Sequence, residues 1–152
     1  MKLDSIDKQL LELLQTYSKR THKELANRCG LSVTAVYERI RRLEREGIIK
    51  SYVAILDKKK IKKSFTVLCH IKLVKHTKEY VTLFEKEVLK LQEVSECFHV
   101  SGDYDYILKV HVEHMEAYRE FMISKLTVLK HIGSTQSSFS IKEVKCTTVI
   151  DL

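Results

Sequence analysis

Residues 32–45 read Ser-Val-Thr-Ala-Val-Tyr-Glu-Arg-Ile-Arg-Arg-Leu-Glu-Arg. Val36, Ile40 and Leu43 repeat at +4 and +3, which is one apolar face of a helix. Between them stand Thr34, Tyr37, Glu38, Arg39, Arg41, Arg42 and Arg45. A guanidinium pairs with phosphate oxygens without reading sequence, whereas short polar and aromatic side chains near a helix start reach base edges. Ser32, Thr34, Tyr37 and Glu38 are therefore the candidates for bases, and Arg41, Arg42 and Arg45 for phosphates. A second polar cluster is Gly102-Asp103-Tyr104-Asp105-Tyr106. As local structure it is a hairpin turn. As chemistry, the Asp105 carboxylate is of the type that pairs with a ligand ammonium.

Other chemistries lack their residues. Cys29, Cys69, Cys97 and Cys146 form no C-x-x-C, and no Cys/His pair has zinc-finger spacing, so no metal is expected. With four glycines in all, no Gly-rich phosphate loop is present. No nucleophile–base set or carboxylate pair stands out, so neither an enzyme nor a cofactor is expected. No apolar run approaches the ~18 residues of a membrane span. Asp4 and Asp7 break the N-terminal apolar stretch, which argues against a secretory signal and for a cytoplasmic chain with reduced thiols.

The charge is uneven. Residues 1–63 hold 16 basic and 8 acidic side chains, and residues 64–152 hold 11 and 12, so the net +7 sits entirely in the first part. A basic head joined to a near-neutral body suggests a polyanion-binding module and a body with another task.

The elements that must position these residues follow from periodicity and caps. Ile6, Leu10, Leu13 and Leu14 form a helical stripe, with Asp4 as N-cap and Asp7 in the first turn. Thr21-His22-Lys23-Glu24 is a capping box opening a short second helix, which Gly30 ends. Ser32 caps the third helix, and Gly47 follows it. Two short helices around a tight turn form a helix-turn-helix, with the third helix as recognition helix. Residues 48–56 are rich in β-branched side chains and read as a strand, making a winged variant or an extended hinge. Five lysines within residues 58–63 suggest a solvated tether.

Beyond it, Phe65, Val67, Cys69, Ile71 and Leu73 alternate along a strand. A helix is expected over 77–91, strands over 94–101 and 104–112, and a second helix over 114–129. Gly133 is expected to end the following connection, with a last strand over 135–144 and a short edge at 147–150. The order βαββαβ is ferredoxin-like, with both helices on one sheet face. The other face must meet water or another subunit, and an isologous dimer is the economical solution. The organisation is α+β: residues 1–50 a DNA-binding head, 51–64 strand and tether, 65–152 a ligand-binding and oligomerisation domain.

Taken in order, Leu3-Asp4-x-Ile6-Asp7, Leu25-Ala26, Gly30-Leu31-Ser32, Arg39-Ile40, Arg42-Leu43-Glu44, Gly47-Ile48-Ile49, Val100 through Tyr106 and Val144-Lys145-x-Thr147-Thr148 resemble the Lrp/AsnC family of feast/famine transcription regulators. The resemblance covers essentially the whole chain. It implies a winged helix-turn-helix that binds double-stranded DNA and a body that dimerises, assembles further, commonly to octamers, and binds an amino acid or related small effector between dimers. It also implies a bacterial or archaeal, nucleoid-associated protein. Carried onto matching positions, the effector candidates are His99, Gly102, Asp103, Asp105, Met115, Thr135, Ser137 and Ser138. His99 and Ser138 depart from the residues common in such proteins, so effector choice is expected to be this chain's own. The competing expectations are a tetrapyrrole-processing enzyme of the same superfamily, for which the body has a single arginine, Arg119, and scattered histidines, and a sensing assembly without a DNA target.

Overall fold

The computed structural model describes residues 2–152, and these form two compact units, residues 2–55 with 144–152, and residues 56–143. The first unit, the head, is built on three helices: α1 (Ser5–Thr16), α2 (His22–Cys29) and α3 (Val33–Arg45). Each starts where a side chain satisfies an orphan backbone donor. Asp4 Oδ1 accepts the Asp7 N–H at 2.7 Å, and Asp7 answers from its carboxylate to the Asp4 N–H. Thr21 and Glu24 form the same reciprocal box. Ser32 Oγ accepts the Ala35 N–H. Gly30 ends α2 at φ 65°, a left-handed position in which a Cβ is strained. Leu10, Leu14, Leu25, Ala26, Cys29, Val36 and Ile40 close into one core.

Residues 50–57 form no strand ladder among the described residues; Tyr52 instead donates its hydroxyl to Glu44 at 2.9 Å. The strand expected over 48–56 therefore does not form within the chain, because a strand needs a partner for its ladder. Its Val53 and Ile55 side chains stand exposed. The short edge expected at 147–150 does not form either. Instead the tail joins the head: Gln15 Nε2 donates to the Ile150 carbonyl at 3.0 Å, and the Ile150 N–H donates to Gln15 Oε1 at 2.7 Å. Residues 144–152 therefore belong to the head's compact unit, although they follow the body in sequence.

The second unit, the body, runs β1 (Phe65–Leu73), α4 (Lys78–Val88), β2 (Val94–His99), β3 (Tyr106–Val112), α5 (Met115–Phe121) and β4 (Ile132–Phe139). The four strands form an antiparallel sheet in the order β2-β3-β1-β4, the ferredoxin-like arrangement. Val67, Cys69, Ile71 and Leu73 of β1 and Tyr106, Leu108, Val110 and Val112 of β3 point to one face. Phe84 and Val88 of α4 and Tyr118 and Phe121 of α5 cover it. Directly paired residues share a face, so Leu68, His70, Phe98, Ile107, Lys109, His111, Gln136 and Ser138 line the other. No helix of the body covers that face among the described residues.

Three details differ from expectation. The helix expected to reach residue 129 becomes a π-turn at Met122–Leu126. Ser124 Oγ and Thr127 Oγ1 donate to the carbonyls of Glu120 and Met122 there, competing with the regular ladder. The last strand is Ile132–Phe139 rather than 135–144. Gly133 lies inside it, and a Cβ there would meet the backbone of Lys72, Leu73 and Val74 at 3.3 Å. Its role is close strand approach beside the register shift at Lys72/Leu73, not the end of a connection. Finally, the lysine-rich tether is a hydrogen-bonded turn. Asp57 Oδ1 accepts the N–H groups of Lys59 and Lys60, and the Asp57 carbonyl accepts from Ile61.

Candidate nucleic-acid interface and effector site

On α3, Val33, Thr34, Tyr37, Glu38, Arg41 and Arg45 are all exposed, and they fall on one side at helical spacing. The buried side, Val36, Ile40 and Leu43, holds the helix to the head. Ser32 sits at the start of this surface, its hydroxyl oxygen already accepting the cap hydrogen bond. Arg45 is loosely placed near Glu46, at 3.9 Å.

Arg42 does not join this surface. Its Nη2 donates to both oxygens of Asp7, at 2.6 and 2.7 Å. Arg39 Nη1 donates to Asp4 at 2.7 Å and to Asp7 at 2.8 Å. Asp7 is only 1% exposed, so these two guanidinium groups neutralise a buried carboxylate and tie α3 to the start of α1. The hydrogen bond from Arg39 also holds the Asp4 carboxyl below its ordinary range. Arg42 was expected on phosphates; its charge is spent inside the head. Arg20 is likewise engaged, donating to the Leu13 carbonyl at 2.6 Å at the end of α1. Of the four arginines in residues 39–45, Arg41 and Arg45 remain as outward cations.

In the body, Asp105 is 5% exposed. Its Oδ2 accepts the Leu73 N–H at 2.7 Å, and its Oδ1 lies 3.1 Å from His76 Nδ1. Its N–H donates to the Ile71 carbonyl, and its own carbonyl accepts from Val100. The carboxylate therefore pins the β2–β3 connection to the end of β1 and is not open for a ligand ammonium in this arrangement. Sequence offered no sign of this, because His76 and Leu73 reach Asp105 only through strand pairing. Gly102, at φ 132°, and Asp103 lie on the exposed tip of the same connection.

The remaining effector candidates scatter over the sheet. His99 is on edge strand β2, its ring stacked on Tyr106 at 4.5 Å and its Nδ1 3.9 Å from Glu85. Tyr106 donates to the same Glu85 oxygen at 2.9 Å, and burial together with that bond raises its phenol above the ordinary value. Thr135 and Ser137 are on the opposite edge strand, β4, three strand spacings or about 14 Å from β2. Ser137 faces the helices, 2.6 Å from the Tyr118 hydroxyl, whereas Ser138 pairs with Leu68 on the open face. Met115 begins α5, at the far end of β3 from the Gly102 tip, about 20 Å away. Within one chain His99, Gly102, Asp103 and Asp105 come together at the β2–β3 connection, His99 pairing with Tyr106 next to Asp105. Across the open face, Tyr104 donates to Gln136 Oε1 and its ring lies 5.2 Å from His70. Among the described residues no group of three or more His, Cys, Asp or Glu is placed to hold a metal ion. No helix there is long and apolar enough to cross a membrane.

Comparison with known proteins matches two successive stretches of the chain. A family model described as winged helix-turn-helix DNA-binding matches residues 3–50, and one described as Lrp/AsnC ligand binding domain matches residues 66–150. The chain belongs to the Lrp/AsnC family. It is 39% identical over 143 residues to the leucine-responsive regulatory protein of Escherichia coli K12, covering 94% of this chain and 87% of that protein. It is 34% identical over 142 residues to the Bkd operon transcriptional regulator of Pseudomonas aeruginosa, covering 93% of each. Among solved structures it superposes on a transcriptional regulator of Neisseria meningitidis in complex with L-Met, with a TM-score of 0.93, 30% identity and coverage of 98% of this chain and 96% of that one. An AsnC family transcriptional regulator of Agrobacterium tumefaciens gives a TM-score of 0.93 at 33% identity, covering 97% and 96%. This Lrp/AsnC chain is accordingly a DNA-binding transcription regulator with a small-molecule-binding body.

Proposed function

We propose that the chain is a cytoplasmic, homo-oligomeric regulator whose DNA affinity or assembly state shifts with an amino acid, and that it catalyses no reaction. The observation that carries the DNA half is the outward stripe of α3. Thr34, Tyr37 and Glu38, with Ser32 at its start, are the base readers in this reading, and Arg41 and Arg45 the phosphate contacts. The L-Met bound by the Neisseria relative supports an amino acid as the effector class.

In this reading the effector site lies between copies. The separation of Thr135, Ser137 and Ser138 on β4 and of Met115 on α5 from His99 and the Gly102–Asp105 connection supports that, because no single amino acid spans them within one chain. The uncovered sheet face, with Leu68, Phe98 and Ile107 upon it, is the dimer surface of this proposal. In sequence the DNA-binding segment extends over residues 1–50, the hinge and tether over 51–64 and the sensing segment over 65–152, of which residues 144–152 pack in the head's compact unit. A ligand that binds one assembly state better shifts the equilibrium toward it.

The experiment is a thermal-shift screen against the twenty amino acids, paired with DNA affinity measured with and without each hit. A ligand of the native state raises the melting temperature with concentration. An amino acid that does so and changes DNA affinity supports the proposal. No response to any of the twenty removes the amino-acid effector, and tetrapyrrole binding by the purified protein would return the enzyme reading.

A further inference from the structure

We propose that His22, on the helix preceding the recognition helix, is a positioning residue for operator discrimination because it holds Tyr37 in one orientation. The inference rests on the reading of Tyr37 as a base-contacting residue. His22 is the first residue of α2, and the reciprocal bonds between Thr21 and Glu24 fix the backbone where its side chain departs. Its ring meets the Tyr37 ring edge to face, with centroids 5.6 Å apart and planes at 69°. Arg41 lies one turn along α3, its guanidinium carbon 5.6 Å from the same centroid. Tyr37 is thus braced by a ring from α2 and a cation from its own helix.

The brace leaves the working end free. Tyr37 remains 40% exposed, and among the described residues its hydroxyl makes no hydrogen bond within the head. An aromatic side chain has only two rotatable bonds, so one edge-to-face neighbour and one cation suffice to select a rotamer. A preset rotamer costs less ordering when the head docks on its operator. Phosphate contacts through Arg41 and Arg45 carry the same affinity on any duplex, so losing the brace weakens the specific complex and spares the non-specific one. His22 carries no such signal in sequence: it stands inside a capping box, where its side chain has no part in the cap.

The test uses the full chain and a duplex selected from a random-sequence pool by the unmodified protein, with a scrambled duplex of equal length at the same salt. His22→Ala is expected to lower the ratio of selected to scrambled affinity about tenfold, the upper end of an aromatic pair's worth, with scrambled affinity and melting temperature unchanged. His22→Phe keeps an edge-to-face ring and is expected to restore the ratio. His22→Ala added to Tyr37→Ala is expected to lose nothing further. Equal loss on both duplexes would make His22 a phosphate contact and overturn the proposal. An unchanged ratio, or failure of His22→Phe to rescue, overturns it as well. If Tyr37→Ala leaves the ratio intact, base reading by Tyr37 is what fails; if Tyr37→Ala lowers it and His22→Ala does not, the brace alone fails.

Discussion

Asp105 shows how a side chain of the right type for a ligand can be taken up by the fold. The carboxylate that sequence offers to an ammonium accepts the buried Leu73 N–H. Removing it orphans a backbone donor at the end of β1, which costs about 2 kcal/mol. Asp105→Ala should therefore lower the stability of the body by that order in chemical denaturation, and Asp105→Asn by less, since an amide oxygen still accepts. Unchanged stability in Asp105→Ala would return the residue to the list of free ligand groups. The arginines divide in the same way. Arg41→Ala should weaken DNA binding and reduce the slope of log affinity against log salt by about one phosphate contact. Arg42→Ala should leave that slope alone and lower the melting temperature, because it strips a partner from buried Asp7. The reverse pattern would put Arg42 on the DNA.

At the scale of elements, caps and turns were legible because they are local. Asp4, Thr21, Ser32, Gly30 and Gly47 act where a few neighbouring residues decide the backbone, and the helices start where those residues say. Elements that depend on a partner were not. Residues 50–57 have strand composition and no ladder, and residues 147–150 pair through the Gln15 side chain rather than in a sheet. The end of α5 was missed because Ser124 and Thr127 hydroxyls redirect carbonyls that an apolar pattern alone would leave in a regular helix. The tail clamp leads to a prediction. Gln15→Ala, or deletion of residues 148–152, should speed amide exchange in α1 and leave exchange in β1 and β3 unchanged. No change in α1 would reduce the clamp to a surface contact.

For the molecule as a whole, the open sheet face is the feature with the largest consequence. Leu68→Lys together with Phe98→Lys should convert the proposed dimer to monomer in sedimentation, with the strand content of the body retained; a persistent dimer would place the interface elsewhere. A histidine on the same face leads to a prediction of acid sensitivity. Burial, with Lys58 and Lys109 nearby, lowers the His111 pKa below its ordinary 6.5, while Glu143 and Glu96 act in the opposite sense. His111 Nδ1 lies 3.1 Å from Thr66 Oγ1. Above about pH 6.5 the ring is neutral in both folded and unfolded chains. As the pH falls below that, the unfolded chain takes up a proton that the folded chain resists, so stability declines until the folded value is passed. The melting temperature of the protein should fall between pH 7 and 5, and His111→Gln should flatten the fall. An identical slope in the variant would assign the acid sensitivity to other groups.

By itself the sequence determined the helix-turn-helix, the βαββαβ order and the existence of a cationic recognition helix. These rest on periodicity, caps and spacing, which act over a few residues at a time. Tertiary structure alone decided which charges point outward, since Arg41 and Arg42 are neighbours in sequence and only packing turns one of them onto Asp7. It also decided that Asp105 serves Leu73 and His76, that the tail returns to α1, and that His22 lies against Tyr37. Each of these depends on distant segments meeting, and a side chain's partners are set by that meeting rather than by its chemical type.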